Sequence, residues 1–318
     1  MKNKRVGIIG GGTIASGLHL PLEKMGVKIC FTLRRGDTGV SFENLLEREK
    51  PDCVFLAIST LDKGEAARDY VLACMRVGIP VVTCEKGALA YHSEVLQPYF
   101  SEIGFNATVG GGSRILEYLQ SWHFAAHKAE IHAVLNGTLN FIFDEVRRYG
   151  RTLDEACASA IKLGYAEPGT RDTLDLLNRE LLDVVMKMCI LFNTTFAIDR
   201  LITPDDFLQP VFVKDDLAKL TEEAETSRLV VSFIGISQKR PYLSVRYLCG
   251  FRFNNESRIE VGLHRITDAS NLDAWLPSGV YNAVHIIDGA HRHTLSGPGA
   301  GVETTVRAML ADFSRLCP

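Results

Sequence analysis

The strongest constraint on how this chain folds lies in its first 25 residues. Arg5-Val-Gly-Ile-Ile9 is a short apolar run that passes at once into Gly10-Gly-Gly12-Thr13-Ile14-Ala15 and an amphipathic segment reaching Met25. A strand, a glycine turn and a helix in that order form a dinucleotide-binding start. Gly10 permits the tight turn, Gly12 lets the backbone approach a pyrophosphate, and Ala15 takes the helix-packing place of a third glycine. Gly10, Gly12, Thr13 and Ile14 are therefore candidate cofactor contacts. The next strand, Val27 to Leu33, ends in Arg34-Arg35-Gly36 instead of the acid that holds a ribose 2′-hydroxyl. Two arginines there suit a 2′-phosphate, so NADP(H) is expected over NAD(H); the alternative is that both arginines are solvated loop residues and Asp37 reaches the ribose.

The pattern continues as helix 41–49, buried strand 53–58, helix 63–77 and buried strand 79–83, with 105–114 read as the region of a sixth strand and its exit loop. Strands alternating with helices at this spacing predict an α/β fold, a doubly wound parallel sheet of Rossmann type. Cys84-Glu-Lys86-Gly-Ala-Leu-Ala90 falls at the carboxyl end of strand 79–83, where such sheets keep their ligands. Cys84 reads as a packing thiol, since no histidine lies near it in sequence to activate a nucleophile.

Composition excludes several classes. The 318 residues carry a net charge of −3, and the densest basic points are the pairs Arg34-Arg35 and Arg147-Arg148. Strong nonspecific nucleic-acid binders carry a basic stripe, so no nucleic-acid partner is expected. The eight cysteines are scattered without a Cys-x-x-Cys pair, which fits reduced thiols in a cytoplasmic protein. The first strand begins too early for a signal peptide, and no apolar run approaches membrane length, so no membrane association is expected.

The second half changes character. A strand at 130–135 leads to Asn136-Gly137-Thr138-Leu-Asn140, helices are expected over 140–149 and 153–163, and Gly164-Tyr-Ala-Glu167-Pro168 follows. In the run from Glu180 to Phe192, Glu180, Asp183 and Lys187 fall on one narrow stripe of an otherwise apolar helix. An acid and a lysine four residues apart on a buried helix can orient a substrate and exchange a proton with it; on a solvated face they would be an ordinary ion pair. Alternating segments at 229–237, 242–248 and 258–263 precede a hairpin with an Asp288-Gly289 turn. His291 and His293 share a strand face there, with no third metal ligand evident, and read as an exposed hairpin. This half is an α+β domain.

Asn-Gly-Thr-x-Asn, Gly-Tyr-Ala-Glu-Pro and Asp-x-x-x-Lys in order resemble the catalytic core of the homoserine dehydrogenase family. Ser296-Gly-Pro-Gly299-Ala-Gly301 before the last helix resembles the family's Gly-x-Gly-Ala-Gly loop. The resemblance implies a Rossmann domain over 1–128, completed by helix 302–318, and a substrate and dimerisation domain over 129–301. It implies NADPH-dependent reversible reduction of L-aspartate 4-semialdehyde to L-homoserine, a step of amino-acid biosynthesis, by a homodimer. Lys187, assisted by Lys86, supplies the proton; Asp183 and Glu167 position the substrate with Asn136, Gly137 and Thr138. Ser59, Lys86 and Gly301 join the cofactor contacts. The family's second ammonium-binding acid aligns ambiguously with Asp172, Asp175 or Asn178. Two positions depart from the family: Asn106 stands where a glutamate helps hold a monovalent cation, and Arg114 where a proline is usual. Cation binding at the Val109 and Gly111 carbonyls is accordingly expected to be weak or absent. The regulatory ACT-type domain of longer members is missing from the sequence, so threonine feedback is not expected. The rivals are a dehydrogenase of the same scaffold acting on a different amino or carboxylic aldehyde, and a non-catalytic nucleotide-binding protein.

Overall fold

The structure is a computed structural model that describes residues 3–37, 39–122, 129–166, 169–196, 200–207, 212–235, 244–252, 257–266 and 275–318. The chain divides into two compact units, Met1–Arg114 with Gly301–Pro318, and Ile115–Ala300.

The first unit holds β1 (Arg5–Ile9), α1 (Thr13–Lys24), β2 (Lys28–Leu33), α2 (Phe42–Glu49), β3 (Cys53–Leu56), α3 (Glu65–Arg76), β4 (Val81–Thr83), α4 (Gly87–Tyr91), α5 (Ser93–Leu96) and β5 (Ile103–Gly104). The strands form one parallel sheet in the order β2-β1-β3-β4-β5. This is the Rossmann-type, doubly wound arrangement expected. Val6, Ile8, Phe55 and Val82 from the sheet share a core with Leu18 and Leu22 of α1. The expected sixth strand is not there: Asn106–Thr108 and Gly111–Ser113 are 3₁₀ turns. Gly110 and Gly111 take positive φ (80° and 53°), which breaks an extended path. The last helix of the chain, Val302–Leu316, packs into this unit and supplies Val306, Met309 and Phe313 to its core.

The second unit begins with α6 (Ile115–Gln120), which buries Ile115, Leu116 and Leu119 and packs on α9 (Thr173–Thr195). The remaining helices are α7 (Gly137–Tyr149), α8 (Leu153–Lys162) and α10 (Leu217–Thr226). The strands β6 (Ala129–Val134), β7 (Ser227–Gly235), β8 (Ser244–Arg252), β9 (Ser257–Arg265), β10 (Tyr281–Asp288) and β11 (His291–Pro298) form an antiparallel sheet in the order β11-β10-β6-β7-β9-β8. The terminal helix of the chain, Val302–Leu316, is α11. On one sheet face Phe233 meets the rings of Phe192 and Phe196 at 5.5 and 4.5 Å. The hairpin loop is Gly289-Ala290, because Asp288 still pairs with His291 and Gly289 takes the positive φ of 59°.

Candidate active site

The second unit brings the stripe of α9 to the start of α7. Asn136 is the N-cap of α7: its Oδ1 accepts from the Leu139 N–H at 2.8 Å, so the helix begins at Gly137, three residues before the periodicity suggests. Its Nδ2 donates to Glu180 Oε2 at 2.6 Å and to Asp183 Oδ2 at 2.9 Å. Asp183 Oδ2 in turn lies 2.6 Å from Lys187 Nζ, which also donates to the Leu135 carbonyl at 2.9 Å. Glu180 and Lys187 are buried, and Asp183 is half-buried. The sequence expectation of a buried helix with one polar edge holds in these contacts. A solvated i,i+4 pair has neither a backbone carbonyl on its lysine nor an asparagine clamped between two acids.

The rest of the second-unit site is ordered by the same helix end. Gly137 leaves no room for a side chain, since a Cβ would sit 2.6 Å from the Val280 carbonyl oxygen. Thr138 Oγ1 donates to the Tyr165 carbonyl at 2.8 Å and so fastens the Gly164-Tyr165 segment to the start of α7. Glu167 lies outside the described residues. Asn140, last of the Asn-Gly-Thr-x-Asn run, donates to the Pro277 and Gly279 carbonyls at 3.1 and 2.8 Å, a structural duty.

The three residues among which the second acid was ambiguous are all engaged elsewhere. Asp172 caps α9 by accepting from the Asp175 N–H at 2.8 Å. Asp175 accepts from the Arg171 N–H and lies within ion-pair distance of Arg171 and Arg179, and these contacts hold its carboxyl down at about 2. Asn178 exchanges two hydrogen bonds with the Phe212 backbone, at 2.8 and 3.0 Å. Glu180 is the carboxylate that faces Asn136 together with Asp183. Its place three residues before Asp183, on the same stripe, was the sequence signal for it.

In the first unit the glycine turn has the shape a pyrophosphate needs. Gly10 has φ of 134°, and a Cβ on it would lie 2.2 Å from the Ala57 carbonyl oxygen. Gly12 is the N-cap of α1, and a Cβ on it would meet nothing within 4 Å. Thr13 is exposed and Ile14 half-buried at the first turn of α1. Arg34 lies along the turn, its Cγ and Cδ 3.4 Å from where a Gly11 Cβ would be. Its N–H donates to Asp37 Oδ2 at 2.8 Å, so Asp37 is occupied by the loop's own backbone. Arg35 and Ser59 are exposed, and Gly301 is the exposed N-cap of α11 with φ of 122°. These residues fit a dinucleotide: an open cradle at a helix N-terminus with a guanidinium beside it.

Lys86 sits at the N-cap of α4, held by a residue the sequence reading left without a role. The buried Glu85 accepts from Thr60 Oγ1 at 2.5 Å and from the Gly87 and Ala88 N–H groups at 2.6 and 2.8 Å. It locks the Lys86 backbone to the loop after β3. Burial pushes the Cys84 thiol up to about 11, so it is no thiolate and its reading as a packing thiol fits. Asn106 does not carry the family's negative charge, but α11 brings one beside it. Asp312, fully buried, accepts from the Asn106 N–H at 2.8 Å and from its Nδ2 at 2.6 Å. Val109 and Gly111 are buried in the adjoining turns. Arg114 takes a left-handed φ of 56°, which a proline cannot. Among the described residues no three His, Cys, Asp or Glu side chains converge as a metal site, and no helix is long and apolar enough to cross a membrane.

Comparison with known proteins agrees with this geometry. The family model for homoserine dehydrogenase matches residues 115–313. The chain is 27% identical to the homoserine dehydrogenase of Pseudomonas aeruginosa, over 98% of this chain and 72% of that one. It is equally 27% identical to that of Methanocaldococcus jannaschii, over 92% of this chain and 80% of that one. The fold is similar to a putative homoserine dehydrogenase from Archaeoglobus fulgidus, with a TM-score of 0.71 at 18% identity covering 98% of this chain and 99% of that one. A hyperthermophilic archaeal homoserine dehydrogenase solved in complex with NADPH gives 0.69 at 21% identity, covering 99% and 98%. With the fold, the cradle at Gly10–Gly12 and the α9 stripe in place, the chain belongs to the homoserine dehydrogenase family, NAD(P)-dependent oxidoreductases that act on a CH–OH group.

Proposed function

We propose that this protein reversibly reduces L-aspartate 4-semialdehyde to L-homoserine with NADPH as the preferred cofactor. The observation that carries the reading is the network Glu180, Asn136, Asp183 and Lys187, which sets a lysine and two carboxylates around one amide. When bound, the nicotinamide supplies a hydride to the aldehyde carbon. Gly10, Gly12, Thr13, Ile14 and Gly301 would hold its dinucleotide, with Arg34 and Arg35 on the 2′-phosphate and Ser59 and Lys86 toward its far end.

The chain's own residues account for the other requirements. Lys187 has three N–H donors, and among the described residues Asp183 and Leu135 take two of them. The third is available to the aldehyde oxygen, which becomes an alkoxide and takes the proton, with Lys86 assisting. Asp183 keeps the lysine aimed. Glu180 and Asp183, both acceptors only when ionised, suit a primary ammonium, and Glu167 joins them in that role. A homodimer is part of the same reading, by way of the family.

The test is to follow NADPH oxidation with aspartate 4-semialdehyde and with the same aldehyde lacking its amino group. Glu180→Gln should raise KM for the amino aldehyde at least about tenfold, as loss of a charge-assisted contact of roughly 1.5–3 kcal/mol requires. KM for the desamino aldehyde should hardly move. Equal effects on both substrates would remove Glu180 from the ammonium site. A wild-type protein that turns over another aldehyde far better would favour the rival dehydrogenase reading, for which the departures at Asn106 and Arg114 and the long segment over 168–182 speak.

A further inference from the structure

Two loops leave the carboxyl ends of β3 and β4, and they carry Ser59 and Lys86, one on each. The loops meet backbone to backbone. A Cβ on Gly64 would lie 2.2 Å from the Ala88 nitrogen, and one on Gly87 would lie 2.6 Å from Thr60 Cγ2 and 2.9 Å from the Gly64 nitrogen. The first loop reaches this position in an unfavourable conformation: Asp62, Lys63 and Gly64 take φ of 46°, 56° and 80°, and only the last is a glycine. Such backbone persists where its surroundings over-determine it. Glu85 is the group that does so. It is 2% exposed, and its Oε1 accepts from Thr60 Oγ1 at 2.5 Å and from the Gly87 N–H at 2.6 Å, while Oε2 accepts from the Ala88 N–H at 2.8 Å. Its own N–H donates to Thr83 Oγ1 at 2.9 Å, and that hydroxyl donates to the Leu56 carbonyl at 3.1 Å, a second tie back to β3. A side chain that only capped α4 would need the two N–H groups alone. The Thr60 bond is additional, and it joins the Lys86 loop to the Ser59 loop across 25 residues of chain.

We propose that Glu85 is a positioning residue for the reaction: by bracketing the two loops it fixes the backbone that carries Lys86, and with it the place of the lysine Nζ. The inference rests on the role proposed for Lys86 above. Thr60 is the second half of the bracket, because its hydroxyl is the donor that reaches Glu85 from the other loop. The glycine turn at Gly10–Gly12 and the arginines after β2 lie outside the bracket, so cofactor affinity and turnover should respond differently when it is broken.

The experiment measures kcat, KM for aspartate 4-semialdehyde, NADPH affinity and melting temperature on the full chain. The variants are Lys86→Ala, Glu85→Gln, Thr60→Val and Thr60→Ser, with Glu85→Gln and Thr60→Val each also combined with Lys86→Ala. Glu85→Gln keeps the shape of the side chain but sets an N–H against at least one of the three donors. It should lower kcat by about 10–100-fold, as a small misplacement of a reacting group does, while NADPH affinity hardly moves. Thr60→Val breaks one bond and leaves the two N–H groups of α4 on Glu85; it should lower kcat several-fold in a protein that melts near wild type, and Thr60→Ser should restore the rate. In the Lys86→Ala background neither substitution should lower kcat further, since each acts through the lysine. Full kcat in folded Glu85→Gln and Thr60→Val beside a slow Lys86→Ala would overturn the proposal and leave Lys86 its role. Losses that multiply with that of Lys86→Ala would also overturn it, by showing that the bracket serves something other than the lysine. A Lys86→Ala protein with wild-type kcat would remove the role of Lys86 and the proposal with it. If Glu85→Gln fails to fold, the two Thr60 variants decide alone.

Discussion

The amide of Asn136 has one orientation open to it. The Leu139 N–H donates to its oxygen, so the oxygen must face the helix start and the nitrogen is left to donate to Glu180 and Asp183. Rotating it by half a turn would set oxygen against two carboxylates and nitrogen against a helix N-terminus. Asn136→Asp therefore should lose activity although it keeps the cap, because a third carboxylate replaces the donor between two others. Lys187→Ala should cut turnover by about 10²–10⁴-fold, typical of a positioned acid or base, with NADPH affinity near wild type. Asp183→Asn should lower turnover with the fold retained. Two other outcomes are distinct. A solvated pair would cost about 1 kcal/mol or less in stability and leave turnover alone, and a purely structural buried pair would cost roughly 3–5 kcal/mol with activity lost through unfolding. Measuring turnover and melting on both variants separates them, and a well-folded Lys187→Ala with near-normal turnover would falsify the proton-donor role. The sequence made Asp183 and Lys187 legible because helical spacing alone sets them on one face. It left the second acid open because spacing does not say which of several acids is spent on capping or on arginines, as Asp172 and Asp175 are.

At the scale of elements, the antiparallel sheet carries an uncommon load. On the face opposite Phe233, His132 and His264 are fully buried with their rings 6.3 Å apart, beside Glu130, Ser232 and Glu260. His132 bonds Ser232 Oγ at 2.8 Å and lies 3.5 Å from Glu130, and Arg258 pairs with Glu260 at 2.6 Å. Burial, and after it the neighbouring His132, depress His264 to about 3 from an ordinary 6.5. The unfolded chain therefore binds a proton at His264 that the folded chain refuses. Its contribution is fully present above pH 6.5 and is lost as pH falls from 6.5 toward 3, by about 1.4 kcal/mol per unit through the middle of that window. Urea unfolding of His264→Phe between pH 7 and pH 4 should show a shallower pH slope than wild type; the same slope in both would rule His264 out. None of this polar load was legible beforehand, since a strand alternating with polar residues reads as half-solvated. The strands and helices themselves were legible from periodicity and glycine stops. The misses fell where side chains or backbone angles decide the path: the early start of α7 under the Asn136 cap, and the turns at Asn106–Thr108 and Gly111–Ser113 in place of a strand.

Over the whole molecule, the chain closes its first unit with its last helix. Val302 and Val306 of α11 press on Gly17 of α1, where a Cβ would lie 2.9 and 3.2 Å from them. Phe313 packs on Phe55 at 5.4 Å, and Asp312 holds Asn106. Phe313→Ala should cost about 3–5 kcal/mol, since the ring is fully buried and the sheet beneath it cannot collapse to fill the space. A ligand that binds this unit only when folded offsets such a loss by an amount set by its concentration over Kd, about 2.7 kcal/mol at a hundredfold excess. NADPH should therefore raise the melting temperature of Phe313→Ala more than equimolar NADH does, through the guanidiniums of Arg34 and Arg35. Replacing both arginines with alanine in that background should shrink the NADPH advantage while leaving the NADH response in place. Each charge-assisted contact to a phosphate is worth roughly 1.5–3 kcal/mol, so a change in the NADPH-to-NADH affinity ratio below about fivefold would place the 2′-phosphate site elsewhere. The same melting series, repeated with sodium and potassium at constant ionic strength, tests the cation. Asp312 spends its carboxylate on the two Asn106 donors, so little effect is expected, and a strong climb with one cation would make the buried Asn106 Oδ1, which has no hydrogen-bond partner, its ligand.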